Sequence, residues 1–232
     1  MHAHETLLRK ECGYHGTQPY WDESPEAGQF KSSSILSPTT GFGGDGSPAA
    51  GTVAWTLGTI HHSAGCITDG PFKDYRLHIG PGMDNHEHCI SRNISNAASY
   101  GASSDNVSYC MNMETFATAW PCIERNPHHG GHRGVGGEMW NPYSSPGDPL
   151  FYLHHAWLDK VWWDWQSRNL PARVRDITGR KRMGDHDSSE GIVTLGDTLN
   201  MMGVVPNARV GEVMDLKGKR LCVEYETPPS RG

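Results

Sequence analysis

The strongest helical pattern of hydrophobic and polar residues follows Asp148. Asp148 is a good N-cap, and Pro149 suits the first helical position, where its missing N–H removes no intrahelical hydrogen bond. Apolar and aromatic residues continue at helical spacing to about Arg168, and Leu170-Pro171 closes the segment. We therefore predict a long helix here. One of its faces carries Phe151, His155 and Trp162.

Weaker patterns predict the remaining elements. Helical spacing or a capping-box-like start predicts helices over 2–12, 113–124 and 195–202, and Pro121 is expected to end or kink the second of these. Alternation predicts a strand over 220–226, and residues 53–60 form a candidate extended segment. The Ser-, Gly- and Pro-rich stretch 24–52 predicts a long loop, and 61–111 is expected to be irregular.

Composition narrows the class of protein. Apolar residues make up 36% and charged residues 20% of the 232 positions, with 28 glycines and 15 prolines, which is typical of a loop-rich globular domain. The net charge of -6 argues against non-specific nucleic-acid binding and against a basic membrane patch. The longest apolar runs are too short to span a bilayer. We therefore expect neither nucleic acid nor membrane as a partner.

The cysteines leave the cellular compartment open. The six cysteines form no Cys-x-x-Cys pair, and two sequons begin at Asn93 and Asn106. Disulfides of undetermined connectivity and scattered buried thiols both fit this count. The first residues contain no apolar signal region. We therefore expect secretion of a longer form of the protein.

The histidines are the candidate metal-binding residues. Among fourteen histidines, His128 and His132 are spaced i,i+4 and point the same way on a helical turn. His155 lies on the long helix, and three neutral imidazoles from two helices suit copper or zinc. His154 is expected about a quarter-turn from this face, as a core histidine. Alternatively, His128 and His132 are two surface histidines in a Gly-rich loop.

One segment closely resembles a known signature. The stretch SPGDPLFYLHHAWLDKVWWDWQ is similar to the second copper-binding motif of the tyrosinase and catechol oxidase family, in its filamentous-fungal branch. That motif is Asp-Pro-x-Phe-aromatic-x-x-His-x-x-x-Asp, and its positions are filled by Asp148, Pro149, Phe151, Tyr152, His155 and Asp159. The upstream stretch HHGGHRGVGGEM resembles the family's His-x-x-x-His-x-x-x-Gly-Gly segment.

The resemblance implies a fold and an activity. It implies a mainly α, partial four-helix-bundle copper domain with long irregular loops, and His128, His132 and His155 as metal ligands. It implies copper as the cofactor, one ion at this site and two in the complete family site. Phenols or o-diphenols would be oxidised to o-quinones with dioxygen, so a phenolic small molecule and dioxygen are the expected partners.

The resemblance also implies a missing part. The segment ECGYHGTQPYWDE, starting at Glu11, resembles the region just after the family's first copper helix, although Glu23 replaces a more usual Trp. The first copper motif would precede it. We therefore expect residues 1–232 to form a single domain that lacks its N-terminal first-copper part. His2 and His4 are then expected to be frayed surface residues rather than ligands.

Several neighbouring residues receive secondary roles. Asp159, one turn after His155, is a candidate hydrogen-bond acceptor for a ligand imidazole, or else pairs with an arginine on the helix surface. His129 follows the first ligand, where some family members have Asn and this branch often has Gly. Phe151 and Trp157 are expected to pack rather than contact substrate.

Three other interpretations remain. In the first interpretation, the chain is an inactive mononuclear metal-binding remnant or fragment. In the second it is a zinc hydrolase with three histidine ligands, although no general base stands beside them as in His-Glu-x-x-His. In the third, the stretch 86–89 (His-Glu-His-Cys) forms a separate metal site.

Overall fold

A computed structural model describes residues 1–181 and 191–226. Within these ranges the α-helices are α1 (His2–Cys12), α2 (Asn96–Ser99), α3 (Ser104–Met111), α4 (Phe116–Ile123), α5 (His129–Val135), α6 (Leu150–Ser167) and α7 (Val210–Val213). The strands are β1 (Gly46–Leu57), β2 (Ile60–Ile67), β3 (Arg76–Leu77), β4 (His88–Cys89), β5 (Ser91–Arg92), β6 (Thr198–Leu199) and β7 (Ala208–Arg209). More of the described residues lie in helices than in strands, as the predicted mainly α class requires. No helix in the described ranges has both the length and the apolarity needed to cross a membrane.

The chain divides into two compact units, which are described separately. The first comprises Met1–Gln18, Met111–Pro121 and Asp159–Gly232, and the second Pro19–Cys110 and Cys122–Leu158. The prediction of a single domain over 1–232 stays a prediction.

The second unit contains an antiparallel sheet in the order β1-β2-β5. Leu57 pairs with Ile60 across a two-residue turn in which Gly58 has φ 59, and the ladder extends to Gly46 opposite Ile67. The predicted loop over 24–52 and the irregular stretch over 61–111 are therefore wrong in part. The Gly-Thr turn between two runs of β-branched and aromatic residues is a hairpin signal, and the prediction of loop and irregular structure overlooked it.

The core of this unit lies beneath α5 and the start of α6. It consists of Trp21, Phe30, Leu36, Ile94, Val135, Met139, Leu150 and Leu153. Helix α5 approaches the neighbouring 3₁₀ turn (Tyr100–Ala102) closely, because a Cβ at Gly130 would lie 2.3 Å from the Ala102 nitrogen. The glycines that weaken this helix in isolation are thus the ones that let it pack.

Helix α6 begins and ends nearly where the sequence predicts. The Leu150 N–H donates to Asp148 Oδ1 at 3.0 Å, which confirms Asp148 as the capping residue. The helix ends at Ser167, one residue before the predicted Arg168. Pro121 was expected to end or kink α4, and it does not end the helix, since α4 continues to Ile123 and passes into a π-helical turn (Glu124–His128). Such wide turns are frequent at functional sites.

In the first unit, α1 has the predicted bounds, whereas two other predictions fail. Thr194 donates from both its N–H and its hydroxyl to Asp197 Oδ2, at 2.6 and 2.9 Å, so the capping-like pattern closes a turn. The short strands β6 and β7 then pair antiparallel where a helix over 195–202 was expected. The predicted strand over 220–226 is absent from the described residues, and Cys222 has φ 50, which is incompatible with an extended chain.

Two disulfides resolve the question about the cysteines. Cys66 joins Cys89, and Cys110 joins Cys122. Cys12 and Cys222 are free and exposed. Disulfides are typical of proteins that fold in an oxidising compartment.

Candidate metal centre

Two short stretches of helix bring four imidazoles together in the second unit. His128 ends the π-helical turn and His132 follows on α5, while His154 and His155 lie on the first half of α6. One ring nitrogen from each lies within 4.8 Å of the others. In the described ranges this is the one group of three or more potential ligands that is close enough to hold a metal ion. We call these four residues the histidine cluster.

Two of the predicted ligands face each other. Nε2 of His132 lies 3.2 Å from Nε2 of His155, and the His128 ring centroid is 4.6 Å from that of His132. The structure therefore brings His128, His132 and His155 together, as the sequence predicts. Whether they bind a metal stays a prediction.

The backbone fixes the tautomer of His132. Its Nδ1 donates to the carbonyl of Met139, in the 3₁₀ turn (Gly137–Trp140) that follows α5. A neutral imidazole that donates from Nδ1 has its lone pair on Nε2, the atom that faces His155. The lone pair of His132 on Nε2 therefore points into the cluster.

Burial keeps the cluster uncharged. Desolvation lowers the pKa of His128 to about 4, and lowers those of His132 and His155 to about 2, where the neighbouring His154 adds to the effect. The pKa of His154 is also lowered, chiefly by burial. These imidazoles are thus neutral near pH 7, and neutral imidazole is the form that binds metals.

His154 contradicts the prediction that it points away. It is fully buried, and its ring centroid lies 4.6 Å from that of His132. Its Nδ1 lies 2.7 Å from Oε1 of Glu23, which is fully buried as well. Sequence periodicity gives the direction of a Cβ but not the rotamer, and the Glu23 contact holds this ring at the cluster.

Glu23 is the site residue that sequence analysis missed. Burial raises its pKa well above the usual value, with the nearby charge of Asp22 as a second cause. The sequence offered one signal, a carboxylate at a position where the family more usually has Trp. An acidic residue in an apolar position needs a buried partner, and here the partner is His154.

Asp159 has a different partner from either predicted one. Its Oδ2 accepts the hydroxyl hydrogen of Tyr225 at 2.6 Å. Both residues belong to the first unit and are 66 positions apart in the chain, so no local pattern signals the contact.

Two aromatic residues on α6 pack against the cluster. The Phe151 ring centroid lies 4.1 Å from that of His155, and Trp157 is buried with its ring 6.3 Å from His154. His129 lies outside the cluster, with its ring edge-on to Trp140 at 5.6 Å.

Two of the remaining histidine predictions are corrected, those for 86–89 and for His4. The separate metal site at 86–89 fails, because Cys89 is in a disulfide and His88 is buried 3.5 Å from Glu138 Oε2. His4 is not frayed, since its Nδ1 lies 2.7 Å from Gln18 Oε1 in the first unit. His2 is exposed at the start of α1.

Comparison with known proteins identifies the family. Residues 1–168 match the family model described as the common central domain of tyrosinase. The chain belongs to the tyrosinase family.

Curated relatives cover most of the chain. It is 32% identical over 247 residues to the tyrosinase-like protein phomQ1 of Diaporthe leptostromiformis, which covers 97% of this chain and 61% of the relative. It is 28% identical to the N-acetyl-6-hydroxytryptophan oxidase ivoB of Emericella nidulans, covering 97% of this chain and 73% of the relative. The chain thus spans about three fifths of the length of phomQ1.

A solved structure supports the fold. The polyphenol oxidase (mutant G292N) from Thermothelomyces thermophila is 25% identical and superposes with a TM-score of 0.79. The match covers 97% of this chain and 70% of that one. The predicted tyrosinase-type fold is therefore confirmed.

Proposed function

We propose that this chain forms the copper-binding part of a tyrosinase-type oxidoreductase, with His128, His132 and His155 as ligands of one copper ion. The complete protein would oxidise phenols or o-diphenols to o-quinones with dioxygen. The observation that carries this proposal is the histidine cluster of a tyrosinase-family chain, whose rings are buried or half-buried and neutral. When bound, copper supplies the one-electron chemistry that dioxygen reduction needs.

The donor set fits copper. Neutral imidazole suits both Cu(I) and Cu(II). Within the described part of the chain, Nδ1 of His128 and Nε2 of His154 are buried without a hydrogen-bond partner. Unpaired buried nitrogens are costly unless they have a role, and binding a cation provides one.

The surrounding residues position these donors. The Met139 carbonyl directs Nε2 of His132 into the cluster, and the ring of Phe151 packs against His155. His132 is buried, whereas His128 and His155 are half-buried. A small phenol would therefore approach from the side of these two half-buried rings, and the buried side excludes water.

A second candidate is a mononuclear metal-binding protein without oxidase activity. It is favoured by the single histidine cluster in residues 1–181 and 191–226. Reducing dioxygen to the peroxide level takes two electrons, whereas one Cu(I) ion gives one. Oxidase activity, rather than metal binding, separates the two candidates.

The test combines metal loading with oxygen uptake. The chain is loaded anaerobically with Cu(I), freed of excess metal, and exposed to catechol and dioxygen in an oxygen electrode while quinone absorption is followed. Copper-dependent oxygen uptake with quinone formation supports the oxidoreductase. Bound copper without uptake by this chain fits both candidates, and the same result in the complete protein supports the second. A chain that binds no copper overturns both.

Variants assign the signal to the cluster. His155→Ala is expected to lose copper together with any oxygen uptake. His62→Ala is the control, because His62 is a half-buried histidine that stacks on Trp55 at 4.1 Å and lies outside the cluster. Equal loss of copper in both variants would contradict the assignment.

A further inference from the structure

Asn93 is an exposed residue in a firmly held stretch of backbone. It follows β5 and lies between Arg92 and Ile94, which are both buried. Its N–H donates to the Val135 carbonyl at 3.1 Å, and a Cβ at Gly136 would lie 2.5 Å from its carbonyl oxygen. No hydrogen bond within residues 1–181 and 191–226 involves its carboxamide. The fold therefore fixes the backbone and leaves the side-chain nitrogen exposed.

Asn93 begins one of the two sequons. The stretch Asn93-Ile94-Ser95 has a hydroxyl residue two positions after Asn and no Pro between them, which is the pattern of an N-glycan acceptor. Ser95 also has a structural role, because its Oγ accepts the N–H of Ala98 at 3.2 Å as the N-cap of α2. This cap explains a hydroxyl at Ser95 but not an exposed Asn two positions earlier.

The second sequon is folded differently. Asn106 is half-buried in the first turn of α3, and its Nδ2 donates to the Tyr100 carbonyl at 3.0 Å. A glycan on that nitrogen would replace one of its two hydrogens and compete with this contact. Asn93 has no such competing contact in the described chain, so it is the better acceptor of the two.

Asn93 also lines a cleft of about 160 Å³ in the second unit. One aromatic wall is Trp55, on which His62 stacks at 4.1 Å, and the other is Trp140, over which the Arg133 guanidinium lies at 4.5 Å. Pockets for free ligands usually measure about 300–1,000 Å³, so this cleft has room for a single small ring. An indole offers a large apolar face with a polar edge, which complements the C–H face of a sugar ring.

We propose that Asn93 carries an N-linked glycan whose first sugar, an N-acetylhexosamine, lies in this cleft against Trp140. The donor is a lipid-linked oligosaccharide diphosphate. A bond forms between Asn93 Nδ2 and C1 of the first sugar while the bond from C1 to the phosphate oxygen breaks, so the lipid diphosphate leaves and Nδ2 loses one proton. The two disulfides agree with folding in an oxidising compartment, where this transfer takes place. The inference does not depend on the copper site.

Site-resolved mass spectrometry tests the modification. The whole chain is directed into the secretory pathway of a yeast by a cleavable leader, purified, and treated with peptide-N-glycosidase in ¹⁸O water, which converts each glycosylated Asn into a labelled Asp. We expect the label at Asn93 in most chains, its loss in Asn93→Gln and its retention there in Asn106→Gln. An unlabelled Asn93 in the wild type would overturn the proposal.

Ser95 offers a matched pair of variants. Asp is about as good an N-cap as Ser, so Ser95→Asp keeps the cap of α2 but destroys the sequon, whereas Ser95→Thr keeps both. We expect no glycan at Asn93 in Ser95→Asp and a glycan in Ser95→Thr. A label at Asn93 in Ser95→Asp would show that the modification does not follow the sequon, which contradicts the proposal. If a variant fails to fold, the label in the wild type decides.

The position of the first sugar is tested separately. An endoglycosidase trims the glycan to one N-acetylglucosamine, and nuclear Overhauser contacts are recorded between its acetyl methyl group and the indole rings. We expect contacts to Trp140. A labelled Asn93 whose sugar contacts neither Trp140 nor Trp55 would overturn the placement in the cleft and leave the modification site standing.

Discussion

Arg92 forms a buried ion pair on which the start of α6 depends. Both Arg92 and Asp148 are fully buried, with Nε to Oδ2 at 2.8 Å and Nη2 to Oδ1 at 3.0 Å. Arg92 Nη1 also donates to the Gly43 carbonyl at 2.5 Å. Asp148 Oδ1 accepts in addition from the first N–H of the helix that carries His154 and His155. One carboxylate thus neutralises a buried cation and caps the helix.

Replacing Arg92 by Met would leave the Asp148 carboxylate buried without a counter-charge. Breaking a buried pair in this way costs about 3–5 kcal/mol, because the remaining charge stays desolvated. Typical domains are stable by about 5–15 kcal/mol, so much of the stability would be lost. In Arg92→Met/Asp148→Asn no lone charge remains. The double variant should therefore lose less than the sum of the two single variants.

Urea unfolding of the metal-free chain, followed by circular dichroism, measures these differences. Arg9→Met is the control, because Arg9 pairs with Glu5 at 2.9 Å on the exposed face of α1. Exposed pairs contribute at most about 1 kcal/mol. An Arg92→Met protein as stable as Arg9→Met, or strictly additive effects in the double variant, would refute the reasoning.

Two further substitutions test individual contacts. Gly131→Ala should lower the free energy of unfolding by up to about 2 kcal/mol, since its Cβ would overlap Glu23 and His154. The overpacking costs about 1–3 kcal/mol, and the gain in helix propensity, about 1 kcal/mol, offsets part of it. A raised urea midpoint would contradict this. Tyr225→Phe removes the 2.6 Å hydrogen bond to Asp159 and should reduce stability by about 1 kcal/mol, whereas Tyr109→Phe, at an exposed tyrosine, should have no effect in the same assay.

Local signals made α6 predictable. The Asp148 cap, the Pro149 start and the 3.6-residue period all act within a few positions, so the sequence was sufficient for the bounds of this helix. The same holds for α1, which has the predicted bounds. The spacing of His128 and His132, combined with the resemblance at His155, likewise placed these three residues together before the structure was known.

Contacts between distant parts of the chain were not predictable in this way. Glu23 meets His154 across 131 positions, and no periodicity links them. The pattern assigned His154 to the core correctly but gave its ring the wrong direction, since the rotamer depends on that distant carboxylate. The candidate extended segment over 53–60 falls largely on the end of β1, whereas the start of β1 and most of β2 were missed because the Gly58 turn between them was not recognised.

The central claim is that the histidine cluster binds copper. The most direct test is an anaerobic Cu(I) titration, with bound metal counted after desalting, on the wild type, His132→Gln and the control His88→Gln. The account predicts about one copper per chain in the wild type and in His88→Gln, and almost none in His132→Gln, whose Nε2 lies 3.2 Å from that of His155. Copper retained in His132→Gln, or absent from the wild type, would contradict it.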